Sequence, residues 1–432
     1  MKSTPLNVSA LSRKKLNKLI DQLLPRARAG NPDAAYNLGV LYTSCSPKLV
    51  NNEEGVLWFT KAANLGRGYA QFNLSHHYEH GLGVKKDLAE AARLMEQAAN
   101  GGYIDAQINM GSMYLEGKGV EVDEAAAIAW YEKASEQGSP LATVNIGRIH
   151  LNSGDTDKAI EAFTIAGNKG DATAVEHLMV INAEIGNHQA SKRWGMYGAQ
   201  LGSNPCRLFL AQSLSDRDSP ERDPEEALRY AHQAANAGDA FAYYVMGNLY
   251  DFAFEQRNPE YAFECYKVAA DNGVAIAKYN LGIAYRDGLG VAQDQKRAIR
   301  PLREAAQEGV VHANYALGRM HYEGIGVAQD HKQAKRYYEL AIESNCELSP
   351  HALGIAYFEG YGVPQHDVAA YLLMKSSQQR MAKSSPERDA CDTNLKGVAS
   401  LLNDEQIAWA DHQLSIFSRD ILAAVSLALE TY

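Results

Sequence analysis

The constraint that governs the rest of this chain is a two-residue anchor, an apolar residue followed by a small one, that returns at a nearly fixed interval. Leu38-Gly39 is followed by Leu74-Ser75, Met110-Gly111, Ile146-Gly147, then the degenerate Leu178-Met179 and Leu210-Ala211. Met246-Gly247, Leu281-Gly282, Leu317-Gly318 and Leu353-Gly354 complete the series. The steps are 36, 36, 36, 32, 32, 36, 35, 36 and 36 residues, a regularity that marks a repeat architecture. In 277–309, as in 106–138, Ala, the anchor pair and Tyr fall at positions 1, 5–6 and 9 of the unit, one stripe of a helix. Gly-x-Gly-Val then interrupts that helix. A second stripe follows, formed in 106–138 by Ala127, Trp130, Tyr131, Ala134 and Ser135, and Gly138 suits a left-handed C-cap. Each repeat therefore reads as helix, glycine loop, helix, short turn. One such hairpin cannot bury its apolar faces alone, but stacked neighbours can, so the pattern predicts an all-α solenoid.

Ten repeats are expected, spanning 34–382. Residues 1–33 read as an N-terminal cap, with Leu16, Leu19, Ile20, Leu23 and Leu24 as its apolar stripe and Ala27 and Gly30 in repeat register. Residues 383–432 read as two C-terminal capping helices, 386–402 and 404–430, with Asn403 as N-cap of the second. Repeats five and six (172–224) are expected to be short and lack Gly-x-Gly, as either a hinge or drifted repeats of no special role.

The residues 277–294 (AKYNLGIAYRDGLGVAQD) and 352–367 (ALGIAYFEGYGVPQHD) resemble the Sel-1-like repeat, a branch of the tetratricopeptide superfamily. LNDEQIAWADHQLS (402–415) is similar to the closing helix seen after many such arrays. The resemblance implies a right-handed superhelix of helix-turn-helix repeats. It also implies a scaffold or adaptor that holds partner proteins in bacterial signalling, secretion, envelope or quality-control systems.

Composition narrows the function further. Lys plus Arg number 42 against 52 Asp plus Glu, a net charge of −10, which argues against a nucleic-acid binder. No apolar run approaches the ~20 residues of a membrane span. The N-terminus has no apolar h-region, so no signal peptide is expected. Cys45, Cys206, Cys265, Cys346 and Cys391 are scattered, with neither a zinc spacing nor a disulfide framework. Reduced thiols in the cytoplasm are the simplest reading, and no cofactor is expected.

Asn37, Asn73, Asn109, Asn145 and Asn280 share one repeat position, immediately before the anchor Leu or its equivalent. That position faces away from the second helix, toward the concave side. An amide offers both donor and acceptor, so a ladder of them could hold the backbone of an extended peptide; the alternative is a local bond to a neighbouring helix. The resemblance supports the first reading, since tetratricopeptide proteins that bind extended chains use this position similarly. Four consecutive copies make the first half the better groove. Arg148 and Arg319 lie one turn further along, with Arg286 near the same face, as planar forks for partner carboxylates or as solvated surface arginines.

Other motifs read as structural. The five Gly-x-Gly-Val loops follow helices, not strands, and recur at the repeat period, so they are turns and not phosphate cradles. The recurring tyrosines and Trp58, Trp130 and Trp194 have core spacing. His76 and His80 in HHYEH stand at i and i+4 and could share a metal, with Glu79 or a distant residue as third ligand, but no second cluster accompanies them; His76, His77 and His80 read as polar helix-surface residues, with no metal site assigned. An enzyme is not expected. Secreted cysteine-rich relatives are associated with β-lactamase activity but carry a cysteine pair per repeat, which this chain lacks. Ser12-Lys15 has no accompanying Lys-Thr-Gly. The apolar 416–432 segment caps the core or, alternatively, joins two copies into a homodimer.

Overall fold

The computed structural model describes residues 13–44, 50–216, 219, 221–253 and 257–432. The expectations for Ser12 and Cys45 fall outside these. Among the described residues the chain is all-α, with 24 α-helices, one π-helical turn at Leu249–Ala253 and no strand. It divides into two compact units, Met1–Ser203 and Asn204–Tyr432.

The first unit holds the helix Arg13–Arg28 and five helix pairs. Their first helices are Pro32–Thr43, Gly68–His80, Ile104–Glu116, Pro140–Asn152 and Ala172–Glu184. Their second helices are Asn52–Asn64, Leu88–Asn100, Glu124–Glu136, Thr156–Asn168 and His188–Gln200. The second unit holds five more pairs. Its first helices are Asn204–Ser215, Ala240–Asn248, Ala275–Asp287, Val311–Glu323 and Ser349–Glu359, and its second are Pro224–Asn236, Pro259–Asp271, Gln295–Gln307, His331–Glu343 and Asp367–Arg380. Three further helices follow, Arg388–Ala399, Asp404–Ile416 and Ile421–Thr431. The predicted single helix 404–430 is therefore two. Phe417 ends the first, and the Asp420 carboxylate accepts from the Ala423 N–H (3.1 Å) to start the second.

Every second helix starts on a side-chain cap. Asn or Asp fills this role at 51, 87, 123, 155, 187, 223, 258, 294 and 330, and His366 Nδ1 does so in the last repeat. Each such cap contributes about 1 kcal/mol.

The anchor glycine sets how closely the two helices of a pair approach. A Cβ on Gly111 would lie 2.7 Å from the Tyr131 ring, and one on Gly147 2.7 Å from Phe163. Where repeat two has Ser75 instead, Met95 stands at the ring position, and the Ser75 hydroxyl donates to the Ala91 carbonyl at 2.7 Å. Repeat five inverts the arrangement: Met179 is buried on the first helix and Gly195 is buried opposite it.

The short repeats are four and five, one earlier than expected. Their helices keep 13 residues, but the loops shrink from seven residues (81–87) to three (153–155 and 185–187), which accounts for the 36-to-32 step. The repeat starting at Asn204 keeps a longer connection, 216–223. In the seven-residue loops the first glycine is the left-handed C-cap, as at Gly360 (φ 74°). The second, Gly362 (φ 75°), lies against the start of the preceding repeat's second helix, where a Cβ would meet His331 Cβ at 2.6 Å. The glycine loops are structural turns that tie one repeat to the one before it.

The closing helices share a core with the last repeat. Leu395, Val398, Ala410, Leu414, Ile421 and Val425 join Leu372, Leu373 and Tyr371. Cys206, Cys265, Cys346 and Cys391 are buried thiols, and burial pushes Cys265 and Cys391 up to about 11.

Candidate functional site

The anchor residues Ala34, Leu38, Ala70, Leu74, Ala106 and Met110 are buried, which fixes the rotation of each first helix. The residue before the anchor Leu is thereby turned outward. Asn37 is exposed, while Asn73, Asn109 and Asn145 are half-buried.

The four amides of the first unit are not equivalent. The Asn73 amide donates to the Tyr69 carbonyl (2.8 Å) and reaches back to the Tyr36 hydroxyl (3.3 Å). It has the local role that was the alternative to a ladder. One repeat period later, the residues in the place of Tyr36 are Phe72 and Ile108. Neither offers a polar atom, and Asn109 and Asn145 make no side-chain hydrogen bond among the described residues. In this unit the bond back to the preceding first helix follows from the residue 37 positions before the Asn, a signal present in the sequence but not used in reading it.

The same region carries an aromatic row. Tyr36 and Tyr69 meet edge-to-face at 4.4 Å, Phe72 and Tyr103 at 5.3 Å. The Tyr69 hydroxyl donates to Asp33, and burial, with that carboxylate beside it, pushes Tyr69 up to about 12. Arg148, three residues after Asn145, is exposed and makes no ion pair among the described residues.

In the second unit the predicted residues are engaged. The Asn280 amide donates to the Asn248 side-chain oxygen at 3.5 Å, which also accepts from the Tyr266 hydroxyl at 2.9 Å. Arg286 and Arg319 line one cavity, so the structure brings them together, but neither guanidinium is a free fork. Arg286 Nε and Nη2 each donate to Asp287 at 2.7 Å. Arg319 Nε and Nη2 donate to Glu323 at 3.1 and 2.9 Å. Sequence reasoning gave these arginines to a partner because it did not weigh the acids one and four residues away.

The histidines of HHYEH also separate. His77 is buried, not on the surface; its Nδ1–H donates to the Leu82 carbonyl at 2.7 Å and its ring packs on Phe59. His76 and His80 remain on the outer face with Glu79 between them in sequence. Burial lowers the His76 pKa, partly countered by Glu79.

An array of helix pairs with outward polar residues on the first helices defines a class of repeat protein. The chain belongs to the Sel1 repeat family, whose repeat matches 32–66, 68–103, 104–139, 207–239, 240–274, 275–310, 311–346 and 351–379. The longest unmatched stretch, 140–206, contains the two pairs with three-residue loops. A solved structure similar to this chain is that of a protective antigen present in uropathogenic Escherichia coli strains, described as displaying an SLR fold. It is 26% identical over 96% of this chain and 90% of that one, with a TM-score of 0.68. A Sel1 repeat protein from Oxalobacter formigenes is 26% identical over 82% of this chain and 96% of that one, with a TM-score of 0.47. Helicobacter pylori cysteine rich protein B is 28% identical over 31% of this chain and 96% of that one, with a TM-score of 0.26. No curated protein matches the chain. Sel1 repeat proteins are generally protein-interaction scaffolds. Among the described residues no helix is long and apolar enough to cross a membrane.

Proposed function

We propose that this chain is a non-enzymatic scaffold that holds an extended segment of a partner protein along the first helices of its first unit. The observation that carries this reading is the pair Asn109 and Asn145. They are half-buried, stand at one register on consecutive first helices, and have no internal hydrogen bond. Their amide atoms stay open to solvent and are not tied up internally, so a passing peptide backbone can replace that water as both donor and acceptor. Asn37 extends the row, and Asn73 contributes shape and not a free amide. Arg148, exposed and unpaired among the described residues, would take an acidic side chain of the same segment. Arg286 and Arg319 would take one only by releasing Asp287 and Glu323. The buried thiols favour a reducing, cytoplasmic setting.

The test is affinity capture with the full chain, wild type against Asn109→Ala with Asn145→Ala, followed by measurement of affinity for the captured protein. Because these amides make no internal bond, the double variant should keep the wild-type urea midpoint while losing about tenfold or more in affinity. Asn73→Ala is the opposite control: it should lower the urea midpoint, through a loss of about 1 kcal/mol of stability. Unchanged affinity in the double variant refutes the reading. Capture of the chain itself alone would favour self-association through the C-terminal helices.

A further inference from the structure

The first unit contains a second chemical feature that the scaffold reading does not use. His76, Glu79 and His80 lie at i, i+3 and i+4 on the helix Gly68–His80, so all three project from one face. One ring nitrogen of each histidine and one carboxylate oxygen lie within 4.8 Å of one another. His76 Nδ1 is 3.5 Å from Glu79 Oε2, and His80 Nδ1 is 4.0 Å from the same oxygen. It is the one such group of three among the described residues.

From this geometry we propose a divalent transition-metal site of the zinc class on His76, Glu79 and His80. Two imidazoles and a carboxylate are the donors that zinc and its late first-row neighbours take. Ligands about 2.1 Å from a tetrahedral ion stand about 3.4 Å apart, so the three must close by little more than 1 Å. His80 is 57% exposed and free to make that movement. Its Nδ1 lies 3.0 Å from the His76 carbonyl; a cation taken at Nε2 keeps that contact, and one at Nδ1 displaces it.

A neighbouring repeat supplies both a competitor and a fourth ligand. Lys118 places its ammonium 3.7 Å from Glu79 Oε1 and 2.6 Å from Glu116 Oε2. A cation is thus already held between these two carboxylates, and a divalent metal bound at Glu79 replaces its single positive charge with two. Glu116 lines the same cavity as His76, Glu79 and His80 but lies outside their ligand group, so it would complete the coordination only by swinging toward them once released from Lys118. The site would therefore span two repeats and stiffen their junction on binding. It stands whether or not Asn109, which borders the same cavity, contacts a partner.

The experiment is calorimetric titration of the metal-free full chain with zinc chloride. One ion per chain is expected, with micromolar or tighter affinity. His76→Gln with His80→Gln should weaken binding at least tenfold while far-UV circular dichroism stays unchanged. Lys118→Ala should tighten it several-fold, and adding Glu116→Gln should remove that gain. Wild-type binding no tighter than that of the histidine double variant overturns the site. An unchanged affinity in Lys118→Ala overturns the proposed competition with Lys118.

Discussion

Gly360 and Gly362 offer a comparison in which backbone strain cancels. Both stand in one loop with nearly the same dihedral, φ 74° and 75°. An alanine at either costs about 1–2 kcal/mol for the left-handed conformation. At Gly360 the added Cβ meets nothing nearer than Gln365 Cβ at 3.5 Å, an ordinary contact. At Gly362 it meets His331 Cβ at 2.6 Å and the His331 backbone carbon and oxygen at 2.7 Å. Carbon atoms prefer about 3.5–4.0 Å, so the start of the helix His331–Glu343 must retreat by about 1 Å. Forced overpacking of this kind costs about 1–3 kcal/mol. Gly362→Ala should therefore be less stable than Gly360→Ala by that amount. Repeat arrays can lose two-state behaviour, so the measurement is native-state hydrogen exchange across His331–Glu343, beside a urea titration. The opening equilibrium of that helix should rise about 5- to 150-fold in Gly362→Ala relative to Gly360→Ala. Equal exchange in the two variants would refute the claim that the second glycine ties adjacent repeats.

Two further predictions follow. Gly111→Ala drives a methyl into the Tyr131 ring and should cost about 1–3 kcal/mol; Tyr131→Met should recover part of it, as Ser75 opposite Met95 does naturally, giving a measurable coupling in a double-mutant cycle. His351 accepts the Asn394 amide at Nε2 (3.0 Å), and burial lowers its pKa, so the unfolded chain binds the proton more readily. That contribution is present above the unfolded value of about 6.5 and is lost as the pH falls from there through the lowered pKa of the folded state. The urea midpoint should drop as the pH is taken below about 6.5, and His351→Gln should show a smaller drop.

The fold was legible because each repeat restates the same physical solution. The anchor pair, the capping Asp or Asn and the two loop glycines recur at one spacing, and each has one dominant structural use. Even the four missing residues in repeats four and five could be read from the steps, although the shortening was first placed one repeat late. Less was legible at the surface. Asn73 and Asn109 occupy one register, yet Tyr36 holds the first and Phe72 leaves the second alone. That distinction needs the contact between successive first helices, which a single-repeat reading omits. Arg286 and Arg319 show a similar limit: each guanidinium stands at the expected position but already shares a carboxylate on its own helix. The break before Ile421 was hidden because apolar residues at helical spacing, Leu414, Phe417, Ile421 and Val425, continue across it, with only Asp420 marking a new start.

The loop glycine that rests on the preceding helix start has a mechanical consequence. Where the seven-residue loop is present, a load applied along the chain is shared between a repeat and its predecessor through a backbone-to-backbone seat. In the pairs Pro140–Asn152 with Thr156–Asn168 and Ala172–Glu184 with His188–Gln200, the loops of three residues carry no second glycine to make that seat. The connections 216–223 and 249–258 carry no glycine at all, so these four repeats lack the seat, and a chain pulled by its ends should yield among them first.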